Sequence, residues 1–117
     1  MTLPAAITGH QIIWIRRPMT RYSVPVRFVR GGDALVCFGD GPLDVVRNGE
    51  RVFVDVGSPS HLEAEFPAVV RDVPADEVDD DTLLELLSHV SLGSTLDEVK
   101  CHLRRQRHRR LVRIQPA

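Results

Sequence analysis

With 117 residues, 43% of them hydrophobic and 26% charged, the chain has the size and composition of one globular domain, residues 1–117, built on a single core. Its net charge of −1 excludes a broad electrostatic pull toward nucleic acid or an anionic membrane. No apolar run nears the roughly 18–20 residues that span a bilayer.

The opening residues, MTLPAAITGHQIIWIRR, lack the basic stretch and long apolar run of a secretory signal, so a cytoplasmic location is expected. In that setting Cys37 and Cys101, which have no C-x-x-C partner, read as reduced, partly buried thiols. The histidines His10, His61, His89, His102 and His108 show no zinc spacing, and no metal is expected.

Taken along the chain, QIIWIR (residues 11–16) is a short strand, and Pro18 to Arg21 form a turn. Residues 22–30 alternate with the period of a strand: Tyr22, Val24, Val26 and Phe28 face one way, Ser23, Pro25, Arg27 and Val29 the other. Pro25 donates no ladder hydrogen bond, which assigns it to an edge, a bulge or an opening of the sheet. Gly31, Gly32 and Asp33 supply a tight hairpin, and ALVCF returns as the next strand. Gly39-Asp40-Gly41-Pro42 is then a loop leading into a short helix, PLDVVRN, with Asp40 as its cap. RVFVDVG, with Val52, Val54 and Val56 on one side, is a strand; Ser58 to Ser60 turn the chain; residues 61–73 form a long strand in which Pro67 marks a bulge or bend.

The last third reads as helical. Asp81 and Thr82 cap a segment with an apolar stripe of Leu83, Leu84, Leu87 and Val90, and a second helix opens at Ser94 with Leu96, Val99 and Leu103 inward. RRLVRIQP closes the chain as a strand. Successive strands joined by short turns favour closure, which hides sheet edges, so the expected fold is mainly β: a small antiparallel split β-barrel flanked by helices.

Charge is segregated near the end. Residues 72–98 carry acidic but no basic side chains, and residues 99–113 carry basic but no acidic ones. Either the two stretches form an acidic face and a basic face for different partners, or acids at helix N-termini and bases at helix C-termini complement the helix dipole. The run RRQRHRR has no interleaved aromatics, so a solvated face or a salt-bridged dimer contact with residues 76–81 is expected rather than nucleic-acid binding.

In order and spacing, YSVPVRFV, GGDALVCFGDG, VRNGERVFVDV and RRLVRIQP resemble the pyridoxamine 5'-phosphate oxidase-like, flavin-binding split-barrel proteins. The resemblance covers about residues 10–75 and 109–116. It implies a homodimer that holds FMN, or in some relatives a deazaflavin or heme, in a groove between subunits, with a small organic molecule as substrate of an oxidoreductase. Carried over, Pro25, Val26 and Phe28 become the wall of the cofactor site, Gly39 to Gly41 its loop, and Arg47 and Asn48 the matches to the family's R-N pair. Arg27, on the strand face opposite Val26 and Phe28, either reaches a phosphate in the groove or faces water.

A second reading keeps the barrel and the dimer without the flavin, as a non-catalytic binding or regulatory module. Its grounds are the absence of the family's lysine ahead of Arg47 and the negative charge of Asp40 and Asp44 where a phosphate would approach. Trp14 and Tyr22 offer faces for a flat ring or for packing. No Ser-His-Asp or Cys-His arrangement emerges from the spacing, so no catalytic residue is assigned.

Overall fold

The structure, a computed structural model, describes residues 2–58, 60–87 and 109–117. They form one antiparallel sheet of seven strands: β1 (Ile12–Arg16), β2 (Ser23–Arg27), β3 (Val29–Gly31), β4 (Ala34–Phe38), β5 (Arg51–Ser58), β6 (His61–Val73) and β7 (Leu111–Pro116). One helix, α1 (Asp80–Leu87), and three single-turn 3-10 segments, Ala5–Ile7, Gly41–Leu43 and Ala75–Glu77, complete the described elements. The order across the sheet is β2-β1-β5-β6-β7-β4-β3.

Alternation decides which face is buried. Val52, Val54 and Val56 of β5, Phe66, Ala68 and Val70 of β6, and Val112 and Ile114 of β7 join Ile13 and Ile15 in one interior cluster. Leu3 and Ile7, from the segment ahead of β1, pack into the same cluster. The sheet curls around this core until its outer strands, β2 and β3, are separated along the chain by Phe28 alone. The Phe28 amide donates to the Gln11 carbonyl at 3.1 Å and its side chain is buried in the interior. The result is a small, mainly antiparallel barrel whose split lies at Phe28.

The single strand expected over residues 22–30 is therefore two. Its first half pairs with β1, Val26 opposite Ile13, and its second half pairs with β4, Val29 opposite Val36. The inward residues Val24, Val26 and Phe28 keep their period through the change of partner, so alternation alone does not reveal the break. Pro25 sits on β2, an edge of the sheet order.

Pro67 makes no bulge: it pairs opposite Phe53 in regular register, just before the β6–β7 ladder begins at Ala68 and Pro116. Its carbonyl accepts the Ala117 amide at 3.0 Å, so its missing N–H falls at the end of that ladder, where no bond is forfeited. The register shift lies instead between Val56 and Gly57, where Gly57 takes φ +104°.

On the outside, Val29, Val36, Val73 and Leu111 form a second apolar patch covered by Leu83, Leu86 and Leu87 of α1. The helix is capped two residues earlier than Asp81: the Asp79 carboxylate accepts the Thr82 amide at 2.8 Å. Leu86 takes the buried place expected of Leu84, which packs at the edge of the patch. Val90, the helix expected from Ser94, Cys101 and most of the basic run lie outside the described residues. No helix among the described residues is long and apolar enough to cross a membrane.

Candidate functional site

The loop after β4 is held by two arginines that precede β7. Gly39 donates its amide to the Arg110 carbonyl at 2.7 Å, and the Arg110 guanidinium returns to the carbonyls of Gly39 and Leu43, both at 3.2 Å, and to the Asp72 carboxylate at 2.8 Å. Arg109 lies 3.7 Å over the Phe38 ring and grips Asp40 in a two-pronged pair at 2.6 and 2.5 Å. The hydrogen bond from Arg109 holds the Asp40 carboxyl below its ordinary value. This corrects the capping role expected of Asp40: it makes no side-chain cap bond, because a partner 69 residues away binds both its oxygens. The helix expected over residues 42–48 is a single 3-10 turn, Gly41–Leu43. A single turn lacks the aligned peptide dipoles that make a longer helix attractive to anions.

This turn packs against β2, so the strand and the loop that the sequence reading associates do meet. Between them opens an apolar groove of about 160 Å³, floored by Ile15, Val24 and Val46 and walled by Pro42, Val45 and Tyr22. Tyr22 and Val45 are 84% and 63% exposed, so the rim of the groove is an uncovered apolar surface. Met19, fully exposed at φ +70°, belongs to the same connection between β1 and β2. Arg17, also on the rim, is engaged by Glu50 at 2.9 and 3.0 Å.

The expected site residues distribute around this groove rather than lining it. Val26 and Phe28 point into the barrel core, while Pro25 and Arg27 are exposed on β2. Gly39 is buried with its amide and carbonyl both engaged. Gly41 starts the 3-10 turn at φ +65°, and Asn48 uses its side-chain carbonyl to accept the Asp72 amide at 2.9 Å. Arg47 is exposed; its carbonyl accepts the Glu50 amide at 3.1 Å, and among the described residues its side chain has no ion-pair or hydrogen-bond partner. It follows Val46 of the groove floor, which makes it an exposed cation next in sequence to the groove.

Among the groove residues, Val24, Pro42, Val45 and Val46 were not singled out from the sequence. The available signal was Val45-Val46, two adjacent apolar residues in a polar turn of which only Val46 is buried.

Trp14 faces away from the groove, on the outer surface of β1, where its indole N–H donates to the Gly57 carbonyl at 3.1 Å. Near it Arg16 lies 4.8 Å over the Phe53 ring and reaches Asp55 and Glu65 at 3.7 and 3.3 Å. Asp55 is buried there, and its Oδ1 has no hydrogen-bond partner. The arginines of the first hairpin are thus dispersed, Arg16 and Arg17 into ion pairs and Arg30 onto the Gly32 carbonyl at 3.2 Å. Among the described residues no group of three or more His, Cys, Asp or Glu side chains could hold a metal ion.

No family model matches the chain, and neither the curated proteins nor the solved structures yield a match.

Proposed function

We propose that the chain is a homodimeric split-barrel protein that binds a planar organic ligand, FMN or a related flavin, in the groove between β2 and the turn after β4. One observation carries this reading: the groove is apolar, about 160 Å³, and bordered by exposed Tyr22 and Val45. Pockets that bury a drug-sized ligand run to roughly 300–1,000 Å³. The groove is therefore about half a site, and a second copy set against its apolar rim supplies the missing wall.

The fit to a flavin is uneven. The groove suits the ring, and Tyr22 offers an aromatic face beside it. Gly39 does not suit a phosphate, because its amide and carbonyl are already bound by Arg110. Arg47, whose side chain has no ion-pair or hydrogen-bond partner among the described residues, is the residue left to meet a phosphate, with Arg27 as the other such cation of the expected set. A bound flavin would supply redox chemistry, so an oxidoreductase acting on a small organic substrate belongs to this reading; the chain's own part is to seat the ring and to hold the charge.

A second reading, a non-catalytic homodimer that has lost the flavin and serves as a binding or regulatory module, is favoured by the same loop. Arg110 and Arg109 fill with internal bonds the space that phosphate-gripping groups would use. The visible absorption spectrum of the purified protein, before and after incubation with FMN and removal of free ligand, separates the two. A retained flavin band supports the first reading. A flat spectrum from a protein that sediments as a dimer removes the flavin and leaves the second, and a monomer at micromolar concentration removes both.

A further inference from the structure

The outer face of the sheet carries a second feature, remote from the groove in the strand order. The register sets Arg71 of β6 directly opposite Arg113 of β7. Directly opposed residues of an antiparallel pair project from the same face with Cα atoms roughly 4.5–5.5 Å apart. Arg51 of β5 stands opposite Val69, two residues before Arg71, and so shares that face on the diagonal. Among the described residues the side chains of these three arginines have no ion-pair or hydrogen-bond partner. Like charges directly opposite one another destabilise a sheet, so this arrangement is unfavourable unless something neutralises it.

Beside Arg113 the same region opens into a polar trough of about 400 Å³. Gly31 and Ala34, opposed in the β3–β4 hairpin, give it a floor of minimal side chains. Arg113 and Gln115, two residues apart on β7 and therefore on one face, form a wall, and Asp33 at the hairpin turn lies at its edge.

We propose that this trough and the arginine pair at its edge form a binding site for a small molecule bearing a phosphate group, with Arg113, which lines the trough, and Arg71, opposite it on β6, as the anion ligands and the Gln115 amide as a neutral donor. Two adjacent guanidiniums match the two charges of a phosphate and its several acceptor oxygens better than a single carboxylate, and each offers a fork of donors. Asp33 repels an anion at its own end, which directs the phosphate toward β7 and leaves the hairpin end for the uncharged part of the ligand. Arg51 adds long-range attraction. The site shares no residue with the flavin reading, so either stands without the other.

The test is a titration of the full-length protein with inorganic phosphate, followed by the arginine side-chain N–H resonances. Saturable shifts of Arg71 and Arg113 are expected, with a Kd of about 1 mM or tighter. Loss of one charge-assisted contact in Arg113→Gln should weaken binding about 10-fold or more, and Arg71→Gln should do likewise. Arg21→Gln, an exposed position in the connection between β1 and β2, should leave it unchanged. Because both variants also remove the like-charge contact, each should melt above the wild type in phosphate-free buffer, and phosphate should narrow that gap. Linear, non-saturating shifts would overturn the site, as would equal affinity in wild type and Arg113→Gln. Binding confined to a single-stranded oligonucleotide, with a steep salt dependence and no response to phosphate, would replace the small-molecule site by a polyanion surface.

Discussion

Arg110 and Gly39 hold each other twice: the Gly39 amide donates to the Arg110 carbonyl at 2.7 Å, and the Arg110 guanidinium donates to the Gly39 carbonyl at 3.2 Å. The approach is close because residue 39 has no side chain. A Cβ there would stand 2.8 Å from both the side chain of Arg110 and a methyl of buried Val112. Gly39→Ala should therefore cost about 1–3 kcal/mol, the range of overpacking in a well-filled site. Urea denaturation of the two proteins checks this, and equal midpoints would mean that β7 and the loop are held more loosely than these distances require.

The Asp40–Arg109 pair gives stability a pH dependence. Arg109 lowers the folded-state pKa of Asp40 below its ordinary value. A depressed carboxylate contributes stability that is present above the unfolded value of about 3.9 and is lost as pH falls through the lower folded value. The pair is partly exposed, with side chains 35% and 40% accessible, so its contribution is about 0.2–1 kcal/mol. Asp40→Asn should be less stable than wild type at pH 6 by that amount, and the gap should close as pH falls below about 4. Guanidinium melts at a series of pH values measure it; a gap that persists undiminished at pH 2 would show that the pair does not titrate as described.

The same residue shows how far the sequence could be read. Local signals were legible: the valine alternation of β5, the Gly32 hairpin at φ +66° and the closing strand all appear where the pattern sets them. What was hidden depends on residues distant in sequence. Asp40 stands where a cap belongs, and only the return of β7 beside β4 brings Arg109 to it. Phe28 looks like any inward residue of a strand, yet it is where the chain changes neighbours, because pairing partners leave no mark on alternation. The groove was missed for a similar reason: Val24 reads as one residue of an alternating strand, and its position beside open space follows from how the turn packs on β2.

Cys37 should be inert in the folded protein. It is fully buried on β4, and burial pushes its thiol well above the usual range, which removes the thiolate that reacts. An aromatic disulfide reagent at pH 8 should label Cys37 only in denaturant, with mass spectrometry of the digest identifying the site. Labelling of Cys37 in native buffer faster than global unfolding would mean that β4 opens locally.

If the rim of the groove is an interface, charge at its exposed apolar positions should break it. Val45 is 63% exposed, so Val45→Glu should change monomer stability by less than about 0.5 kcal/mol, as surface substitutions do. Burying that charge against a second copy should shift the dimer toward monomer by at least 10-fold in Kd, because an unpaired buried carboxylate is strongly unfavourable. Sedimentation across a concentration series decides it, and an unchanged dimer constant would move the interface elsewhere.

Arg47 and Phe28 separate binding from folding. Among the described residues the exposed Arg47 side chain has no ion-pair or hydrogen-bond partner, so Arg47→Ala should leave the melting temperature nearly unchanged. Phe28 is 7% exposed inside the barrel, at the residue joining β2 to β3, and Phe28→Ala should cost about 3–5 kcal/mol as a truncation that leaves a cavity. If Arg47 meets a flavin phosphate, its removal should weaken FMN binding about 10-fold or more, the loss of a charge-assisted contact of roughly 1.5–3 kcal/mol. Riboflavin, which has the ring without the phosphate, should bind wild type and Arg47→Ala alike. Fluorescence titration with both ligands distinguishes the cases. Equal FMN affinity in the two proteins would remove the phosphate role from Arg47, and with Gly39 already bound to Arg110 it would leave the groove as a seat for an uncharged ring or for the second subunit alone.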